Sequence, residues 1–454
     1  MGTESFLDSI QRGDVLTTSF SLQSAGNGPS DSGSDGSMER AVLVGLETAA
    51  PSVWNIDDSM GELAHLTETA GAAVVATVVQ KKGKPDPACY VGEGKAREIE
   101  MVRSATEANV VIFDDELTPA QQRNLEEIID GRVIDRTELI LDIFAQRAAT
   151  SEGKLQVELA QLNYMLPRLA GRGTELSRLG GGIGTRGPGE TKLEADRRTI
   201  RNRISSISKE LEAVRQRRTV QRQKRRDAHL PLVALVGYTN AGKSSLLNTL
   251  TGAEALVEDK LFATLDPTTR KYTLPDGQAL LLTDTVGFIQ KLPHHLIMAF
   301  RATLEEVVDA DMLLHVVDAS HPRAMEHCEA VFDVLREIDA ADHPVVTVLN
   351  KSDLPESGPM IERLHHAYPK SVGVSTVTGE GLDDLAEMIS EELSSWRVRL
   401  EEVIPYGDPM LALIRARGTV ISEEYREDGV AIVADVDRVV ADQAIKARPN
   451  GSRR

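Results

Sequence analysis

The sequence predicts an α/β protein: an N-terminal parallel α/β domain, an antiparallel helical hairpin, a second α/β domain with a mainly parallel sheet around a phosphate-binding loop, and a small C-terminal α+β domain. Three observations carry that prediction. Residues Gly237 to Ser244 (GYTNAGKS) match G-x-x-x-x-G-K-[ST] at every fixed position, between an apolar run of strand length, Leu232 to Val236, and a segment, Ser244 to Leu250, that can continue as a helix. Upstream, apolar strand-like runs alternate with helical patterns from Ala41 to Ile134. Between the two regions, a pair of helical periodicities flanks a stretch crowded with glycine.

A chain of 454 residues has room for about three domains and a sizeable core. Its net charge of −19 excludes nucleic-acid binding through the whole surface, so a polyanion must meet a local basic patch. Cys89 and Cys328 are isolated in sequence and form no metal-ligand or redox pair, which suits a reducing compartment. No apolar run of about 18 residues and no basic-then-apolar N-terminus occurs. A cytoplasmic protein with no transmembrane segment is expected, and peripheral membrane association stays open.

Residues 1–40 contain the small, polar stretch Ser24 to Ser37, which cannot bury enough surface to order itself, and are expected to form a disordered tail. Residues 41–150 then read as the parallel α/β domain. Its strands are Ala41–Leu46, Ala72–Val79, Val110–Phe113 and Gly131–Ile134, and its helices Asp57–Ala70, Gly94–Ala108 and Pro119–Asp130. Gly92-Glu93-Gly94-Lys95 lacks the rest of a phosphate-loop pattern and reads as a turn into a helix.

From 151 to 228 the period is helical. Leu155, Leu159, Leu162, Leu166 and Leu169 line one helix, whose end Pro167 breaks or kinks. Leu193, Ile200, Ile204, Ile207, Leu211 and Val214 form the seam of a second, from Thr191 to Arg226. The tip, 170–190, is a Gly/Arg loop without a core of its own. From Arg168 to Arg226 there are 17 Lys/Arg against 6 Asp/Glu, an excess of +11 that leaves −30 for the remainder. One basic arm on an acidic chain is the electrostatic footprint of an RNA-binding element. Arg172, Arg178, Arg186, Arg197, Arg198 and Arg201 are its candidate contacts.

The domain expected over 229–397 carries the elements of a guanine-nucleotide switch in order. In Gly237, Tyr238, Thr239, Asn240, Ala241, Gly242, Lys243 and Ser244, backbone N–H groups would converge on phosphate, Lys243 would reach the β/γ-phosphates and Ser244 would bind Mg²⁺. The loop Phe262, Ala263, Thr264, Leu265 and Asp266 offers Thr264 as a second Mg²⁺ ligand. Asp284, Thr285, Val286 and Gly287 form D-x-x-G, with Asp284 near the metal and the Gly287 N–H facing the γ-phosphate. Asn350, Lys351 and Asp353 form N-K-x-D, in which the Asp353 carboxylate accepts from guanine N1–H and the 2-amino group. Ser375 and Thr376 stand where a backbone N–H contacts guanine O6. GTP with Mg²⁺ is therefore the expected substrate and cofactor, with Lys243, Thr264 and Gly287 as candidate catalytic residues. Asn240 matches an asparagine used by some GTPases to hold K⁺.

After D-x-x-G comes Phe288, which cannot orient a water as glutamine does. Intrinsic hydrolysis should be slow. The missing group must come from the second switch, where Gln290, Lys291, His294, His295 and Arg301 are candidates, or from an external activator. Residues 398–442 then read as the small α+β domain, with a strand over Arg399 to Ile404, a helix around Met410 to Arg417, and Thr419–Tyr425 paired through Asp428-Gly429 with Val430–Val436; 443–454 read as a tail.

The phosphate loop, Leu261 to Thr268 (LFATLDPT), Asp284 to Ile289 (DTVGFI) and above all Leu179 to Thr191 (LGGGIGTRGPGET) resemble the HflX GTPases of bacteria, over about Ala41 to Val436. Thr376 departs from the alanine common there, a contact made by backbone in either case. The resemblance implies a GTP hydrolase that binds the large ribosomal subunit and its rRNA, sends the glycine-rich tip toward the peptidyl transferase centre and splits stalled or idle ribosomes, with ribosome-stimulated hydrolysis. It implies no DNA partner and a monomer on the ribosome. Two alternatives stay open: a GTP-switched RNA- or ribosome-binding regulator that splits nothing, and a further ATP-dependent RNA-remodelling activity in the N-terminal domain.

Overall fold

In the computed structural model the described residues are 38–48, 55–169, 188–228, 230–252, 261–291, 293, 296, 301–394, 397–437, 440, 441 and 444. Residues 1–37 of the expected tail, the tip arginines Arg172, Arg178 and Arg186, and His294 and His295 lie outside them. The chain divides into two compact units, residues up to 272 together with 279–380, and 273–278 together with 381 onward.

In the first unit, β1 (Arg40–Glu47), α1 (Ile56–Thr69), β2 (Ala73–Lys81), α2 (Glu93–Ala105), β3 (Val110–Phe113), α3 (Pro119–Ile129) and β4 (Arg132–Asp135) alternate, and the strands form a parallel sheet in the order β2-β1-β3-β4. Ala41, Val42, Leu43 and Val44 are fully buried, as an unbroken apolar run must be when helices cover both faces of a sheet. The start of α3 is fixed by a capping box between Thr118 and Gln121 with Pro119 in the first turn.

A helix that the periodicity did not reveal, α4 (Arg136–Arg147), follows β4 directly and is capped by the Asp135 side chain. It is buried on nearly every side, polar positions included, so it lacks the polar face that makes a helix legible. Arg136 bonds Asp114 at 2.8 Å and Glu62. Burial pushes the Glu138 carboxyl up to about 7 and raises Asp142 beside it, with Arg132 opposing both. Because the folded Glu138 binds its proton more tightly than the unfolded one, its stabilising contribution is whole below about 4.5 and is lost as pH rises through about 7. Melting temperature should fall between pH 5 and 7, by on the order of 3 kcal/mol in stability, and Glu138→Gln should flatten the curve. An unchanged slope in that variant would assign the dependence elsewhere.

Next come α5 (Ser151–Arg168), which ends one residue beyond Pro167, and the 41-residue α6 (Pro188–Ala228). The latter begins three residues before the predicted Thr191, since proline is tolerated in a first turn. It is about 60 Å long at ~1.5 Å per residue. Ile200 and Ile207 are fully buried against this pair, with Ile204 and Leu211 partly so, and Arg203 bridges to Glu158 at 2.6 and 2.8 Å.

The same unit contains β5 (Leu232–Gly237), α7 (Lys243–Thr251), β6 (Thr268–Thr273), β7 (Ala279–Asp284), α8 (Arg301–Val308), β8 (Met312–Asp318), α9 (Ala324–Glu337), β9 (Val345–Asn350), α10 (Gly358–Ala367) and β10 (Ser371–Gly373). The six strands are ordered β10-β9-β8-β5-β7-β6, with parallel pairing from β10 through to β7. The order reverses at β5, so the carboxyl end of β5 is where a doubly wound sheet opens for a ligand.

The second unit holds α11 (Leu382–Ser394), whose Ser390 bonds Asp276 at 2.6 Å, and an antiparallel sheet ordered β11-β13-β12. Its strands are β11 (Arg397–Ile404), β12 (Thr419–Arg426) and β13 (Gly429–Asp437), with α12 (Pro409–Arg417) burying Ile414 against Leu400, Ile432 and Ala434. Among the described residues no helix is long and apolar enough to cross a membrane.

Candidate functional site

At the carboxyl end of β5 the chain turns through Tyr238 to Gly242 and enters α7 at Lys243. A cavity opens there, lined by Thr239, Asn240, Gly242, Lys243, Ser244, Ser245, Phe262, Ala263, Thr264, Thr285 and Gly287. Asn240 adopts a left-handed φ of 60°, a strained choice for a residue with a side chain. Lys243 is buried, and its ammonium donates to the carbonyls of Gly237 at 3.1 Å and Tyr238 at 2.8 Å. Burial pushes its pKa down to about 8, against the pull of Asp284. A phosphate arriving beside it would restore full charge, the behaviour wanted of an anion-binding lysine. Gly287 passes so close that a Cβ would lie 2.8 Å from the Thr239 Cα and 3.1 Å from Lys243 Nζ, so no larger residue fits.

Three side-chain oxygens meet at one side of the cavity. Ser244 Oγ donates to Asp284 Oδ2 at 2.6 Å and lies 2.8 Å from Thr264 Oγ1, which itself donates to the same carboxylate oxygen at 3.0 Å. The other oxygen of Asp284, Oδ1, is buried without a hydrogen-bond partner. Burial raises the Asp284 carboxyl, opposed chiefly by Lys243. Two hydroxyls and one carboxylate, one of whose oxygens is orphaned, form an all-oxygen donor set that fits Mg²⁺.

At the other end, Asn350 Nδ2 donates to the Ala241 carbonyl at 2.9 Å, and Asn350 Oδ1 accepts from the Thr376 N–H at 3.3 Å. One amide thus braces the phosphate loop against the Ser375-Thr376 loop. The Ser375 N–H donates to the Glu380 carbonyl at 3.0 Å, and Lys351, at φ 64°, pairs with Asp318 at 2.6 Å. Asp353 is exposed.

Some residues predicted to touch nucleotide have side chains engaged elsewhere. Leu265 and Val286 are buried in the core, where apolar side chains gain most. The Asp266 carboxylate bonds residues 149 and 150, and the Tyr238 ring stacks on His327 with its hydroxyl accepting from Gln290 N–H and bonding Glu62. Phe288 is buried, and its backbone is tied to the phosphate loop by Thr239 N–H at 2.8 Å and Gly237 O at 3.1 Å. Of the candidate activating groups, Gln290 is buried and Lys291 pairs with Asp114 and Asp115. The partners of Tyr238, Asp266 and Lys291 lie up to 177 residues away, beyond the span of any local pattern. In the hairpin, Arg198 and Arg201 are exposed, whereas Arg197 is half-buried.

A complete phosphate loop at the switch point of a parallel sheet, two hydroxyls facing the D-x-x-G aspartate, and an asparagine bracing the base-side loop define a P-loop GTPase. Family models for the N-terminal part of a GTP-binding GTPase, for its middle region and for a 50S ribosome-binding GTPase match residues 57–145, 147–225 and 232–351. The chain belongs to the HflX GTPase family. It is 50% identical over 399 residues to the GTPase HflX of Lacrimispora saccharolytica, covering 88% of this chain and 93% of the relative. It is 51% identical over 357 residues to the GTPase HflX of Escherichia coli, covering 78% and 83%. Among solved structures it is similar to a GTP-binding protein from the archaeon Sulfolobus solfataricus in complex with GDP, at 26% identity and a TM-score of 0.41, covering 79% of this chain and 99% of that one.

Proposed function

We propose that this GTPase binds the large ribosomal subunit and dissociates stalled or idle ribosomes, with hydrolysis stimulated by the ribosome. The observation that carries the reading is the basic hairpin, with its excess of +11 in a chain of −19, adjoining a GTPase domain in which the described second-switch candidates, Gln290 and Lys291, are already engaged. Phe288 is apolar, Gln290 is buried and Lys291 is paired. Hydrolysis therefore waits for a partner, and a polyanionic partner meets the hairpin.

In this reading Lys243 and the N–H groups of residues 239–244 bind the phosphates, and the Gly287 N–H reports the γ-phosphate. Ser244 and Thr264, with Asp284 behind them, would hold Mg²⁺, which supplies charge neutralisation at the phosphates. Asp353 reads the guanine edge, with backbone at Ser375 and Thr376 beside O6. Arg198 and Arg201, together with Arg172, Arg178, Arg186 and Arg197, meet rRNA phosphates. Asn240, lining the cavity, would add a K⁺ ion, so turnover should be faster in K⁺ than in Na⁺ buffer; equal rates would remove that ion from the scheme.

The deciding experiment is GTP turnover by the protein alone, then with large subunits, small subunits and whole ribosomes. Stimulation of about 10²-fold or more that requires the large subunit and disappears when 170–190 is shortened is the expected result. Fast turnover alone, indifferent to ribosomes, would refute it. Sucrose-gradient profiles with GTP and a non-hydrolysable analogue separate splitting from the alternative of a ribosome-docked regulator, which would leave the 70S peak intact.

A further inference from the structure

The loop that carries Thr264 touches the corner between α4 and α5 on both sides of that threonine. Two residues before it, Phe262 sits at a left-handed φ of 55°, donates its N–H to Thr239 Oγ1 at 3.1 Å, and sets its ring edge-on to Phe144 of α4, with centroids 4.7 Å apart. Two residues after it, Asp266 accepts from the N–H groups of Ala149 at 2.9 Å and Thr150 at 2.8 Å through Oδ2, and from the Thr150 hydroxyl at 2.5 Å through Oδ1. Thr150 is the N-cap of α5, and its hydroxyl accepts in turn from the Gly153 N–H at 3.0 Å. The carboxylate thus caps the cap, placing a negative charge at the positive end of the first hairpin helix. Space is made for it by Gly153, where a Cβ would lie 2.4 Å from Asp266 Oδ1.

We propose that Asp266 is a positioning residue through which the first switch holds the α4–α5 corner, so that the placement of the hairpin follows the state of the nucleotide. The physical basis is reach. Thr264 faces Ser244 and Asp284, and only one residue separates it from Asp266, a tether of about 7 Å at full extension. Hydrogen bonds tolerate a few tenths of an ångström, so a Thr264 that leaves its place by several ångströms takes the carboxylate off the corner. The amides of Ala149 and Thr150 then lose their acceptor, and α5 loses the charge at its N-terminus. Thr264 back at Ser244 restores both. This coupling needs no ribosome, so it stands or falls separately from ribosome splitting.

The test is hydrogen exchange on the full-length protein, following the peptide that spans 145–156, at saturating GDP and at saturating non-hydrolysable GTP analogue with Mg²⁺. Wild type should exchange the 149–150 amides about tenfold more slowly with the analogue, the factor expected for one retained hydrogen bond. Asp266→Ala should abolish the difference between nucleotides. Gly153→Ala provides a second variant that does not depend on the first one folding: alanine favours the helix, yet its methyl group displaces the carboxylate. It too should erase the nucleotide dependence while leaving the middle of α5 protected. A nucleotide difference that persists in both variants, or no difference in wild type, overturns the proposal.

Discussion

Replacing Asp353 with asparagine is expected to weaken GTP binding by about 10²–10⁴-fold and to admit xanthosine triphosphate. In the proposed reading the carboxylate accepts from both guanine donors, and two charge-assisted hydrogen bonds are each worth about 1.5–3 kcal/mol. Asparagine presents one donor and one acceptor, which clash with guanine N1–H and its 2-amino group but suit xanthine, whose 2-position is a carbonyl. Asp353 is exposed, so the substitution should leave the fold unaffected, and the loss reads as recognition. Competition between the two nucleotides for a fluorescent analogue measures it. Retained GTP affinity with no gain for xanthosine triphosphate would move the guanine contact elsewhere.

Lys243→Ala should remove about 10³-fold of single-turnover GTP hydrolysis at saturating nucleotide. The ammonium is already aimed by the Gly237 and Tyr238 carbonyls and already stripped of water, with a pKa pushed down to about 8 by burial. A dry, prealigned cation stabilises phosphate charge more than a solvated one, because it needs no reorganisation when charge develops. Melting temperature measured on the same sample separates loss of chemistry from loss of fold. A rate within tenfold of wild type would mean that Lys243 is not the group that stabilises the transferred phosphate.

Both predictions rest on residues whose identity was legible in the sequence. The phosphate loop, D-x-x-G and N-K-x-D are local patterns, because a phosphate or a guanine edge is recognised by a few consecutive residues on one turn of chain. The strands from Ala41 and Val110 were equally plain, since a strand covered on both faces must be apolar throughout. By contrast, α4 escaped notice because it buries Arg136, Glu138 and Asp142 along with its leucines, and partners such as Asp114 and Glu62 are what make that tolerable. Nothing in the order of residues marks those pairings.

The sequence by itself pointed to the nucleotide class, to Ser244 and Thr264 as candidate Mg²⁺ ligands with Asp284 near them, to the apolar Phe288 and to the basic hairpin. Each is written in side-chain chemistry at fixed spacing, which survives translation into one dimension. Only the tertiary structure decided what the switch loops hold. Asp266 reads as one more residue of a nucleotide loop until the fold brings it 2.8 Å from the Thr150 N–H, 116 positions away, and Lys291 reads as a candidate activating group until it meets Asp114. A carboxylate or an ammonium is satisfied by any partner of opposite character within reach. Which partner is within reach is set by how the helices pack, and packing depends on volumes and angles summed over the whole core rather than on any local pattern.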